Sequence, residues 1–197
     1  TKRLIPYLSI TIMKKITILM LAITLALTSF AQDEFMGIKI EGPKSEIIAA
    51  FKQKGFTLTE NAGNIVVMEG TIAGGTSVEL DLAFTPISQV CWKLLIYLPK
   101  QLSWPSILKQ YEDYKKTLTD KYGKPSDDYS FFTSPYYEGD GYEMTALAIE
   151  KCHYTAFWND KLVIEMSTSK RVYIAYENPV NGNIYTREKD QLKAKTF

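Results

Sequence analysis

Apolar and polar residues alternate along this chain with two periods that take turns. Over 103–125 the apolar residues Ile107, Tyr111, Tyr114, Leu118 and Tyr122 recur at spacings of four and three. That period puts them on one helical face, with Gln110, Glu112, Lys115, Lys116 and Asp120 opposite. Ser103 stands where an N-cap belongs, and Pro105 fits the first turn, where its missing N–H leaves nothing unpaired. Gly123 suits the left-handed residue that closes a helix, and Pro125 cannot continue one. A shorter helix is predicted after Gly42-Pro43, with Pro43 at its first position and Ile47, Ile48 and Phe51 as its stripe. Gly55 ends it, and Phe56 is placed to pack back onto it.

Between and after these helices the period falls to two. Strands are predicted at 35–41, 64–71, 77–84, 90–98, 152–158, 161–168 and 171–176. In 77–84, Val78, Leu80, Leu82 and Phe84 point one way and Glu79 and Asp81 the other, the mark of an antiparallel strand buried on one face. Gly74-Gly75, Asn159-Asp160, Ser169-Lys170 and Asn181-Gly182 are turn signals. The stretch 126–141 reads as irregular, and 142–150 fits either a strand or a short helix. The expected fold is α+β: two tandem helix-plus-antiparallel-sheet units, 32–101 and 102–178, followed by a charged C-terminal tail at 179–197.

The N-terminal region reads differently. From Met13, basic Lys14 and Lys15 precede an apolar run over 16–27, and Ser29 and Ala31 are the small residues before Gln32. This is the pattern of a cleavable signal peptide over 13–31. The run is short for a span, which takes about 20 residues. Residues 1–12 are expected to be an upstream extension of the reading frame. No Cys follows the apolar run, which argues against a lipoprotein anchor. The protein is therefore expected to be exported, periplasmic or secreted, with no membrane span after cleavage.

Loss of 1–31 would remove four of the 23 basic residues and none of the 22 acidic ones, leaving a net charge of −3. That balance argues against nucleic acid as a partner.

Candidate chemistry is sparse. His153 is the single histidine, too few for a multi-histidine metal site. Cys91 and Cys152 permit one disulfide in an oxidising compartment, worth about 4 kcal/mol in the chain-entropy model; two buried thiols in separate strands is the other reading. Asp127, Asp128, Glu138, Asp140 and Glu143 cluster in sequence without the spacing of a calcium loop or a diagnostic glycosidase pair. No nucleotide-binding glycine motif occurs. No metal, cofactor or catalytic residue is therefore expected. The aromatic residues are the richest feature: Tyr136, Tyr137 and Tyr142 flank the acidic loop, and Trp92, Tyr154, Trp158 and Tyr173 lie in strands. Aromatics on an exposed sheet face anchor protein or glycan partners.

The segments FMGIKIEG, FKQKGF, DKYGKP, YYEGDGYEM and VYIAYEN, spread over 35–178, resemble a group of small exported proteins of Bacteroides-type bacteria of unassigned function. The tandem arrangement also resembles the beta-lactamase inhibitor protein and the small lipoprotein of the outer-membrane assembly machine. The second likeness departs at the missing anchor Cys. The expected function is a non-enzymatic binding or inhibitor-like module of the envelope, using the sheet face and the Tyr136–Tyr142 loop, whose partner is another envelope protein or a glycan. A structural accessory in envelope assembly and a carboxylate-dependent hydrolase are the alternatives.

Overall fold

The computed structural model describes residues 34–195. The expected extension at 1–12 and signal peptide at 13–31 lie outside the described residues. A small antiparallel hairpin, β1 (Glu34–Phe35) and β2 (Ile38–Lys39), comes first. Helix α1 (Lys44–Gln53) leads into β3 (Thr57–Ala62), β4 (Ile65–Ile72), β5 (Thr76–Phe84) and β6 (Cys91–Tyr97). Helix α2 (Trp104–Tyr122) leads into β7 (Asp127–Phe132), α3 (Glu143–Ala148), β8 (Cys152–Trp158), β9 (Leu162–Met166) and β10 (Val172–Glu177), and α4 (Pro179–Ala194) closes the described chain. Helices and a large antiparallel sheet make this an α+β fold.

Strands β3 to β10 form one eight-stranded sheet in the order β3-β4-β5-β6-β10-β9-β8-β7. Register identifies its two faces, because neighbouring partners point the same way. Met68, Leu80, Ile96, Ile174, Ile164 and Ala156 are successive partners from β4 to β8, and each is buried. This face carries the core. From α2, Tyr111 meets Tyr154 edge to face, with ring centroids 5.7 Å apart, and Trp104 does the same at 5.4 Å.

Helix α1 ends as its residues require. Gly55 has φ +90°, the Phe56 amide donates to the Phe51 carbonyl at 3.1 Å, and the Gly55 amide donates to Lys52 at 3.0 Å. Phe56 then packs edge-on to Phe51, the hydrophobic contact that accompanies such an ending. Its ring also lies against Gly70 of β4, where an added Cβ would come within 2.5 Å of it.

Several expectations need correction. Pro43 sits just before α1, in extended conformation, and not at its first position. Part of the stretch read as irregular is strand β7, and β3 also went unpredicted; both are edge strands of the sheet. Of the two readings open for 142–150, the short helix is the one found, as α3. Asn181-Gly182 is inside α4 and not a turn. The tail is anchored, because the buried Glu188 accepts hydrogen bonds from the Ile87 amide at 2.7 Å and the Ser88 hydroxyl at 2.6 Å. No helix among the described residues is long and apolar enough to cross a membrane.

Candidate functional site

The second face of the sheet follows from the same register. One row runs Glu69, Glu79, Tyr97, Tyr173, Glu165, Thr155 and Tyr129; the next runs Val67, Asp81, Leu95, Ala175, Val163, Phe157 and Asp127. Ala175 is fully buried between larger neighbours, while most of the other residues stay half-buried or exposed. Three aromatic pairs form across strands: Tyr97 with Tyr173 at 5.9 Å, Tyr129 with Phe157 at 6.3 Å, and Phe131 with His153 at 4.9 Å between ring centroids. Tyr129 and Phe131 are each 48 % exposed, an unusual cost for two large rings side by side on one edge strand.

Charge on this face is fixed by pairing. The Arg171 guanidinium donates to Glu79 Oε1 at 3.0 Å and to the Leu98 carbonyl at 2.9 Å, and stacks 5.0 Å above the Tyr97 ring. Lys93 pairs with Glu177, and the Tyr173 hydroxyl donates to Glu165 at 2.6 Å. Burial and the neighbouring Glu79 raise the Asp81 carboxyl above its ordinary range, against the lowering effect of Arg171. Glu69, Glu79, Asp81, Asp127, Glu165 and Glu177 outnumber Lys93, Lys161 and Arg171 here, so this face is acidic.

The expected site residues divide among four places. Tyr173 lies on this open face. Trp92 is half-buried and stacks on Tyr185 of α4 at 4.6 Å. Tyr154 and Trp158 are not surface anchors: they point to the helix-covered face and are 6 % and 1 % exposed. Tyr136, Tyr137 and Tyr142 do come together. With Pro135 and Asp140 they line a shallow cleft of about 380 Å³ after β7. Tyr97, Tyr129, Phe131 and Phe157 were missed. Strand parity was the available signal: in CHYTAFW, Phe157 has the opposite parity to Tyr154 and Trp158.

The disulfide is absent. Cys91 and Cys152 are free and buried. They lie on β6 and β8 with two strands between them, a separation of at least ~14 Å at ordinary strand spacing, beyond the reach of a disulfide. Burial pushes both thiols up to about 12, and Glu138 and Glu143 add to the effect at Cys152.

The loop carboxylates have separate structural tasks. Asp128 pairs with Lys115. Asp140 accepts from the amides of Tyr137 at 3.1 Å and Tyr142 at 2.7 Å, and Glu143 accepts from the Gly139 amide at 2.9 Å. His153 donates from Nε2 to the Glu150 carbonyl at 3.1 Å. No group of three His, Cys, Asp or Glu among the described residues is placed to hold a metal ion.

A larger cleft of about 530 Å³ lies between the β1–β2 hairpin, α2 and the helix side of the sheet. Its charged residues are already engaged, Asp113 by Lys109 and Lys121 against the Tyr122 ring. It lacks the convergent polar groups that orient a ligand. Comparison with protein-family models, curated proteins and solved structures finds no match to this chain.

Proposed function

We propose that this chain is an exported, non-enzymatic binding module of the bacterial envelope, inhibitor-like in action, which takes a protein partner on the open face of its sheet. The observation that carries the reading is the acidic face with its three cross-strand aromatic pairs. Aromatic rings held by neighbouring strands lose little freedom on binding and supply most of the contact energy at protein interfaces. The excess of carboxylates favours a partner presenting Lys or Arg beside apolar residues.

The strand order supports a tandem arrangement similar to the beta-lactamase inhibitor protein. Each helix-led stretch, 32–101 and 102–178, contributes four consecutive strands, and the two sets meet where β6 pairs with β10. That seam puts Tyr97 of the first stretch against Tyr173 of the second, so one binding surface would draw on both.

The test is retention of an envelope protein by the immobilised chain. The unaltered chain is expected to hold one protein that a Tyr129→Ser/Phe157→Ser variant loses, with retention weakening as salt rises. Equal retention by both chains removes this face from the account.

A further inference from the structure

We infer that the cleft formed by Tyr136, Tyr137, Tyr142 and Asp140 is a binding site for a quaternary ammonium group. It is a different surface from the open sheet face, and either reading can fail alone.

The geometry begins with one carboxylate. Asp140 Oδ2 accepts from the Tyr137 amide and Oδ1 from the Tyr142 amide. A single side chain thus fixes the backbone at both tyrosines, and Tyr136, half-buried against the core, provides a third ring. Tyr137 and Tyr142 are 65 % and 64 % exposed. Packing does not explain why two large rings should be displayed beside a carboxylate.

The rings are also unoccupied. At six other rings the chain's own cations lie over the aromatic face: Lys44 over Phe84, Lys93 over Trp92, Lys115 over Tyr111, Lys121 over Tyr122, Arg171 over Tyr97 and Lys189 over Tyr185. Among the described residues, no cation and no second ring stacks on Tyr136, Tyr137 or Tyr142. The three tyrosines and Asp140 line one cleft, and electron-rich rings beside a negative charge attract a cation.

The hydrogen bonding selects which cation. Each Asp140 oxygen already serves a backbone amide, so the carboxylate keeps its charge but has less directional capacity left for a guanidinium fork. A quaternary ammonium has no N–H to satisfy and needs only ring faces and a nearby negative charge.

Choline chloride, titrated calorimetrically into the full chain, tests this, with 3,3-dimethylbutanol as the uncharged compound of the same shape. Choline should bind and dimethylbutanol should not. Tyr137→Leu and Tyr142→Leu should each weaken choline about fivefold or more, while Tyr137→Phe stays within about twofold. Both side chains are exposed, and unchanged melting temperatures will verify that the variants fold. Phosphatidylcholine vesicles distinguish the source: vesicle binding that choline displaces marks a lipid headgroup, and choline binding without vesicle binding marks a soluble ligand. Equal binding of dimethylbutanol, preference for a sugar such as glucose, or no saturation with choline would overturn the inference.

Discussion

Trp158 donates its indole N–H to the carbonyl oxygen of Gly123 at 2.8 Å. Gly123 is the residue that closes α2, at φ +84°, and Trp158 is the last residue of β8. The bond therefore ties the end of the long helix to an inner strand of the sheet. It also sets where the chain turns into β7; Ser126, just before that strand, donates from its amide to the Phe157 carbonyl at 2.7 Å.

Removing the donor should be costly. Trp158→Phe leaves the Gly123 carbonyl without this buried partner and should lower stability by about 1–3 kcal/mol. Trp158→Ala adds a large cavity and should cost about 3–5 kcal/mol. Urea unfolding reads both values. An unchanged midpoint for Trp158→Phe would show that the tie contributes nothing.

The anchoring of α4 should depend on pH. Burial draws the Glu188 carboxyl upward, but the Ser88 hydroxyl and the Ile87 and Ser88 amides outweigh it and hold it below its ordinary range. A group lowered on folding contributes stability that is fully present above its unfolded value, about 4.3 for Glu, and is lost as pH falls through the lower folded value. Glu188→Gln should therefore be less stable than the parent by a constant margin near neutrality. That margin should shrink only below about pH 4. Urea midpoints measured down the acid limb check this, and parallel profiles at all pH values would refute it.

The two thiols should be silent in the folded protein. Both are buried with their ionisation raised to about 12, so little thiolate exists at neutral pH to react. A chromogenic thiol reagent should titrate none in the native protein and both after denaturation. A reductant should leave the melting temperature unchanged. Prompt reaction of either cysteine in native protein would contradict this placement.

The parts of the fold legible in the chain are those buried on one side. In α2, Ile107, Tyr111 and Leu118 are all buried, so the apolar stripe announced the helix. Likewise Val78, Leu80, Leu82 and Phe84 alternate cleanly because only one face of β5 meets the core. Edge strands hid for the opposite reason. Thr57–Ala62 and Asp127–Phe132 are almost wholly exposed. Neither has an alternation for the core to impose, and the two aspartates of β7 resemble a loop.

The candidate site was harder to read for a related reason. In CHYTAFW, apolar side chains occur at both parities, so composition alone cannot separate Tyr154 and Trp158, which fill the core, from Phe157, which does not. Only pairing with Leu162–Met166 fixes the faces. The tyrosine loop was legible because three tyrosines around Asp140 are close in sequence. Tyr97 and Tyr173 are far apart in the chain, and only the β6–β10 seam joins them.

Oxidative side-chain footprinting of the chain, free and in complex with the protein partner proposed for it, tests the central claim most directly. Labelling of Tyr97, Tyr129, Phe131 and Phe157 is predicted to fall together on binding, while Tyr185 at α4 stays unchanged. Protection that leaves those four residues as reactive as in the free chain would contradict the sheet-face account.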